Sequence, residues 1–275
     1  MKLTTGTLDY GQGHATPFAQ VLSAQLGVPF EKITLEQGDS DLVRFGNGTG
    51  GSRSITATGQ AIVEASALVI AKGKQAAAHL MEASEGDIEF ADGRFTIAGT
   101  DRSIGIMELA QRAARRQAAG GRAASLDVDH ATKDTPSTFP NGCHVAEVEI
   151  DPDTGVTQIV RYIGVNDFGT VVNPMIVAGQ LHGGVAQGIG QALMEEVSYD
   201  ASGQPITGSF MDYAHAARRG HPADGSRRPS LAGKIQSAGH QGLRRSRLRR
   251  QPRLHRQCGG RRAVGIRHHA ISTCR

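Results

Sequence analysis

Apolar and polar residues alternate from Lys2 to Tyr10, with Thr recurring, and this two-residue period predicts a strand. Pro17 to Leu26 then carries an apolar face at helical spacing, closed by Gly27 and Pro29. Lys32 to Glu36 reads as a second strand. A long loop follows, ending in Gly46-Asn47-Gly48-Thr49-Gly50-Gly51-Ser52-Arg53-Ser54, after which Ile55 to Ala83 is Ala-rich and helical, with only Gly59 and Gly73 against it. Asp87 to Ile97 predicts a hairpin turning at Asp92-Gly93, and Ser103 is placed to cap a helix from Ile104 to about Gln117. Cys143 to Ile150 and Val156 to Val165 predict a second hairpin, turned by Asp151-Pro152-Asp153-Thr154-Gly155. Ile176 to Glu196 reads as a Gly-containing helix and Tyr199 to Ile206 as a last hairpin. Strands and helices mix without regular alternation, so the expected class is α+β, with mixed sheets and packed helices rather than a doubly wound sheet.

The pattern breaks after Ala214. His215 to Arg275 holds 15 Arg and one Lys against one acid, Asp224, a net +15, whereas residues 1–214 hold 14 basic and 25 acidic residues, a net −11. The overall +4 describes neither part. Two readings of the tail compete: a basic arm for nucleic acid, and translation in a shifted frame. A binding arm is usually Lys-rich or mixed, with aromatic or Ser and Gly interleaving. Here the composition is that of GC-rich DNA read out of register. Back-translating Ile235 to Arg247 and starting one base later gives Ser-Asn-Pro-Leu-Gly-Ile-Lys-Gly-Cys-Gly-Glu-Ala-Gly, and the same shift carried through Val264 gives an amphipathic helical pattern. Residues 1–214 are therefore expected to form the folded domain, and 215–275 to be a poorly ordered, out-of-frame tail.

Residues 1–214 suffice for one substantial domain or two small ones. No apolar run long enough to span a bilayer is expected, and Lys2 leads into a polar strand instead of a signal peptide. Cys143 is the single cysteine before the tail, so no disulfide framework forms and a reducing cytoplasm is expected.

Three segments carry candidate chemistry. Gly11-Gln12-Gly13-His14 sits where a strand feeds a helix, so its backbone N–H groups can point at an anion; the plain alternative is an ordinary turn with His14 as a cap or surface residue. The Gly46 to Ser54 loop also precedes a helix and adds Arg53 and two hydroxyls. It lacks the Gly-Lys-Ser/Thr ending of a nucleotide triphosphatase, which leaves anion binding or a surface loop. In the third, five glycines (Gly179, Gly183, Gly184, Gly188, Gly190) stand in a predicted helix at a cost of ~1 kcal/mol each relative to alanine. Close approach of a ligand, or tight packing of another helix, accounts for them. Gln180, His182 and Gln187 offer neutral groups suited to a heterocycle edge or a metal-oxo group. No metal-ligand spacing and no Ser–His–Asp arrangement is nominated.

The segments Gly6 to His14, Gly51 to Ser54, Asn173-Pro174, Gly179 to Gly190 and Gly208 to Ala214 resemble, in order and spacing, the second molybdopterin-binding domain of the xanthine dehydrogenase and aldehyde oxidase family, in the style of bacterial carbon monoxide dehydrogenase large subunits. That resemblance implies a molybdenum–molybdopterin cofactor, commonly the cytosine dinucleotide form in bacteria. It also implies hydroxylation of a small-molecule substrate with oxygen from water, and electron transfer to 2Fe–2S and FAD partner subunits or domains. By position, Gln12, Gly13 and His14 would lie along the cofactor, Gly51, Ser52, Arg53 and Ser54 would hold its phosphates or pterin, and Gln187 would approach the pterin, with Gln180 and His182 nearby. The family's basic glutamate lies in a Gly-Glu-Ala-Gly motif, which the shifted frame restores with its codon straddling Arg245 and Ser246. No catalytic residue is therefore assigned in the chain as written, which is expected to be inactive. A first molybdopterin-binding domain is expected upstream, no membrane partner is expected, and nucleic acid is the minority expectation.

Overall fold

The computed structural model describes residues 1–43, 46, 48–118, 125–132, 135, 138–214 and 236–237. The tail expectation thus falls outside the described residues, apart from Gln236 and Ser237. The fold is α+β and divides into two units: Met1–Thr138 with Val172–Ile176, and Phe139–Val171 with the described residues from Val177 onward.

The first unit opens with β1 (Lys2–Thr4), α1 (Ala15–Leu26) and β2 (Thr34–Glu36), the two strands pairing in parallel with Leu3 opposite Leu35. The strand expected to reach Tyr10 stops at Thr4. From there side chains replace the ladder: Gln37 Nε2 donates to the hydroxyls of Thr5 (2.8 Å) and Thr7 (2.5 Å), and those hydroxyls bond each other. Helix α2 (Ser54–Met81) packs on α1 and on an antiparallel sheet of β3 (Ile88–Ala91), β4 (Arg94–Ile97) and β5 (Ser103–Gly105), followed by α3 (Ile106–Ala118). Phe18, Leu22 and Leu26 of α1, Ile62, Ala77 and Met81 of α2, Ile88 and Phe95 of the sheet, and Leu109 of α3 make one apolar core.

Two glycine-dependent features shape this unit. Asp92 and Gly93 both take positive φ (48° and 77°), which matches the turn to the twist of the β3–β4 hairpin. Gly73 is the point on α2 where a Cβ would overlap the ring of Phe95, so its helix-weakening effect is offset by letting that ring pack directly on the helix backbone.

Ser103 departs from expectation. It lies in β5, pairs with Thr96 and accepts from Arg94 Nη2 (2.7 Å), while Ile104 is buried opposite Phe95. Burying Ile104 in the sheet outweighs capping, and the helix starts at Ile106, whose N–H reaches the Gly93 carbonyl at 2.8 Å. The expectation that no apolar run is long enough to span a bilayer is corrected: among the described residues α2 is long and apolar enough, by length and composition alone, to cross one. Its buried Ile62, Ala77, Ala78 and Met81 belong to the core of the first unit.

The second unit is built on the antiparallel ribbon of β6 (Asn141–Ile150) and β7 (Thr157–Asp167), with a bulge where Glu147 pairs Arg161 but Val148 pairs Ile159, leaving Val160 over. Its turn is held by the Asp151 carboxylate, which accepts from Asp153 N–H (2.8 Å) and Thr154 N–H (3.1 Å). Helix α4 (Pro174–Leu193) begins in the first unit and continues in the second. The last expected hairpin is reduced to a single bridge between Tyr199 and Pro205. β8 (Gln236–Ser237) runs parallel to the end of β7.

Candidate functional site

The amides of Gly11-Gln12-Gly13-His14 do converge on an anion, and the anion is the chain's own. Asp9 Oδ1 accepts the N–H groups of Gly11 (2.7 Å), Gln12 (2.7 Å) and Gly13 (3.2 Å), and Oδ2 accepts that of His14 (2.7 Å). Partial burial pulls the Asp9 carboxyl upward, but the four amides together outweigh it and hold the group below its usual value of 3.8. The His14 ring is buried, stacked on Phe18 at 4.9 Å, with Nδ1 at 3.4 Å from Gln37 Nε2. It is neither a surface residue nor a side-chain cap. Gln12 turns its carbonyl back to accept the Tyr10 N–H at 2.5 Å.

The second glycine-rich loop lies against the first. Thr49 Oγ1 accepts the Leu8 N–H (3.2 Å) and donates to the Leu8 carbonyl, a Cβ on Gly46 would overlap the Gly6 backbone, and one on Gly48 would stand 3.6 Å from the Tyr10 hydroxyl. The structure therefore brings two of the three sequence-predicted segments together within one unit. Around Gly50 and Gly51 nothing lies within 4 Å of an added Cβ. Gly51 and Ser52 both take positive φ (67° and 52°), Arg53 is the N-cap of α2, and no side chain caps that helix. Its first N–H groups have no side-chain acceptor among the described residues, and they follow the exposed Ser52 and Arg53 and the half-buried Ser54. Among the described residues the Arg53 guanidinium has no ion pair or hydrogen bond. A free guanidinium, two hydroxyls, open glycines and an uncapped end of a 28-residue helix make a donor set for an anion of phosphate type.

In the second unit, Gln180, Gly183, Gly184 and Gln187 are all exposed along α4. Residues separated by three, four and seven share a helix face, so the two glutamines flank the glycine pair on one stripe. An added Cβ at Gly179, Gly183 or Gly184 would meet nothing within 4 Å, so no described residue packs on this face. His182 is exposed as well, but at roughly 100° per residue it stands about 160° around the helix from Gln180. The glutamine stripe offers amide donors and acceptors beside an open backbone, which suits the edge and face of a planar heterocycle.

Sequence reasoning missed Asp9, although a carboxylate two residues ahead of Gly-x-Gly is a legible turn signal. It also missed a cluster on the far part of α2. Glu64 accepts His130 Nε2 (2.6 Å), Gln60 Nε2 (2.8 Å) and the Thr132 hydroxyl (2.9 Å), and these bonds, that of His130 foremost, bring its carboxyl down to about 2.

Comparison with known proteins now bears on the site. The family model described as "Molybdopterin cofactor-binding domain" matches residues 1–219. The carbon monoxide dehydrogenase large chain of Hydrogenophaga pseudoflava is 36% identical over 208 residues, covering 76% of this chain and 26% of that protein. The nicotine 6-hydroxylase large subunit of Paenarthrobacter nicotinovorans is 37% identical over 214 residues, covering 77% and 26%. Among solved structures, a Cu,Mo-CO dehydrogenase in its carbon monoxide reduced state aligns with a TM-score of 0.68 at 31% identity, and quinoline 2-oxidoreductase from Pseudomonas putida 86 with 0.68 at 33%. Each alignment covers 86% of this chain and 29% of the other. The chain spans about a quarter of the length of the curated relatives it matches.

Proposed function

We infer, for a chain that belongs to the molybdopterin cofactor-binding domain family, that it forms part of the cofactor cradle of a molybdenum hydroxylase large subunit. The observation that carries this reading is the exposed Arg53 between Ser52 and Ser54 at the start of α2, whose side chain makes no cap and has no partner among the described residues. Arg53, the two hydroxyls and the Gly51 backbone would hold the cofactor's phosphates, in the cytosine dinucleotide form, by charge-assisted bonds that strengthen as water leaves. Gln12 and Gly13 would border the cofactor, with His14 bracing their loop from the interior. In the second unit, taken by itself, the exposed amides of Gln180 and Gln187 suit the edge of a planar heterocycle, while His182 stands on another face of α4.

When bound, the cofactor supplies the two-electron oxidation that hydroxylates a carbon centre with oxygen from water. The chain's proposed contribution is to bind, orient and exclude water; on the shifted-frame reading of the tail, the Gly-Glu-Ala-Gly carboxylate that the family resemblance would use to move the proton is not encoded in this chain. We therefore propose that this polypeptide alone is inactive. An upstream molybdopterin-binding domain, 2Fe–2S and FAD partners, a small-molecule substrate and a cytoplasmic setting complete the reading by analogy with relatives named as large subunits of such enzymes. The basic-arm alternative rests on tail residues and gains no support from any named relative.

The test is a titration of the 275-residue chain with inorganic pyrophosphate, followed at individual amides. Saturable shifts are expected at Ser54, Ile55 and Thr56, and Arg53→Ala should weaken binding about 10- to 100-fold, the worth of a charge-assisted bond of ~1.5–3 kcal/mol. Shifts confined to other residues, or an affinity that Arg53→Ala leaves unchanged, would contradict the assignment.

A further inference from the structure

Two glycine-rich loops precede two helices in the first unit, and among the described residues a side-chain carboxylate fills the amides of the first and none fills those of the second. At α1 the four successive N–H groups of residues 11 to 14 are all taken by Asp9 at 2.7 to 3.2 Å. Positive φ at Gly11 (110°) and Gly13 (74°) lets those amides turn toward one carboxylate. At α2 the N-cap residue Arg53 makes no side-chain cap, and no described side chain accepts the first N–H groups of the helix.

We propose that Asp9 is a positioning residue: a built-in anion that fills the amide nest ahead of α1, excludes an external phosphate from it, and fixes the backbone that carries Gln12. Three observations support this. An entering phosphate would have to displace the carboxylate or sit beside it, and two anions at contact distance repel strongly in a partly desolvated site. The loop cannot easily turn its amides elsewhere, because the buried His14 ring is stacked on Phe18 and a Cβ at Gly13 would come to 2.9 Å from Ile176 Cδ1. Finally, Gln12 has committed its side-chain oxygen to Tyr10 N–H, which leaves its Nε2 amide as a donor with no partner among the described residues. The loop thus presents a neutral donor on a preset backbone, while the anion-binding role falls to Gly51 to Ser54. Only the destination of the Gln12 donor rests on the cofactor reading; the filling of the nest by Asp9 stands on this chain's own geometry.

The experiment follows backbone amides of the full chain as inorganic phosphate is added. In the wild type, Gly11, Gln12, Gly13 and His14 should not shift, whereas in Asp9→Ala the same four should shift saturably, with phosphate standing in for the missing carboxylate. Asp9→Glu should restore the phosphate-blind behaviour. Wild-type amides that respond as the variant's do, or a folded Asp9→Ala whose four amides ignore phosphate, would overturn the proposal. If Asp9→Ala does not fold, Asp9→Asn decides without phosphate: the His14 amide should move most, because a side-chain NH₂ replaces its acceptor, and an unchanged His14 amide would count against the assignment. Shifts at Ser54 to Thr56 report separately on the cofactor reading, so their absence would sink that reading while leaving the Asp9 result intact.

Discussion

Several carboxylates in this chain bind its own backbone and side chains, and Glu64 gives the sharpest consequence. Its carboxyl is lowered from the ordinary 4.5 to about 2 by bonds from His130, Gln60 and Thr132. A group whose folded pKa is depressed stabilises the fold above its unfolded pKa and loses that contribution as pH falls through the folded one. The link from α2 to the segment holding His130 and Thr132 should therefore be intact above about pH 4.5 and lost progressively toward pH 2. Carboxyl carbon shifts should titrate near 2 for Glu64, and Thr132→Val should raise that midpoint; a Glu64 midpoint at 4.5 in the wild type would refute the link. None of this was legible in the sequence, because His130 lies 66 positions from Glu64 and no local pattern joins them. Asp9 is the opposite case, since its partners follow within five positions and the turn signal was present.

At the scale of elements, the hairpins were the most legible features, because Asp92-Gly93 and Asp151 to Gly155 carry turn chemistry that acts locally. The main helices fell within a few residues of expectation for a similar reason: Gly27 and Glu82 end α1 and α2 in left-handed conformations. Ser103 and the long first strand were misread because tertiary contacts, Ile104 against Phe95 and Gln37 against Thr5 and Thr7, overrode local preference. The two glycines read as weaknesses in α2 differ for a reason that only packing reveals. At Gly59 a Cβ would meet Ile55 Cδ1 at 3.8 Å, an ordinary contact, so Gly59→Ala should stabilise by up to ~1 kcal/mol through helix propensity. At Gly73 the same change collides with Phe95 and should destabilise by ~1–3 kcal/mol. Urea midpoints of the two variants, moving in opposite directions, would verify this; a shared sign would not.

For the molecule as a whole, charge and chemistry separate along the chain. Residues 1–214 are acidic overall, yet their open donor set at Ser52 to Ser54 suits an anion, so affinity must come from directed bonds rather than a general positive field. The candidate site was legible as three glycine-rich segments, and the division of labour between the first two was not, since spacing alone cannot tell an amide nest already filled from one left open. On the shifted-frame reading of the tail, replacing residues 215–275 by the one-base-shifted sequence should remove most of its 15 Arg and raise solubility and cooperative unfolding together. A 275-residue chain that is already as soluble and as cooperative in unfolding as the one with the replaced tail would show the tail to be a working part of the protein.

The central claim, that Arg53 and its neighbours hold a molybdopterin cofactor, is tested most directly by metal and pterin content. The chain with its tail replaced by the shifted-frame sequence, joined to the upstream molybdopterin-binding domain that we propose and produced in a host that makes the cofactor, should purify with molybdenum and pterin in equal amounts. Arg53→Ala should retain about a tenth or less of both, in keeping with the loss of a charge-assisted phosphate contact. Full retention of molybdenum and pterin by Arg53→Ala would contradict the account.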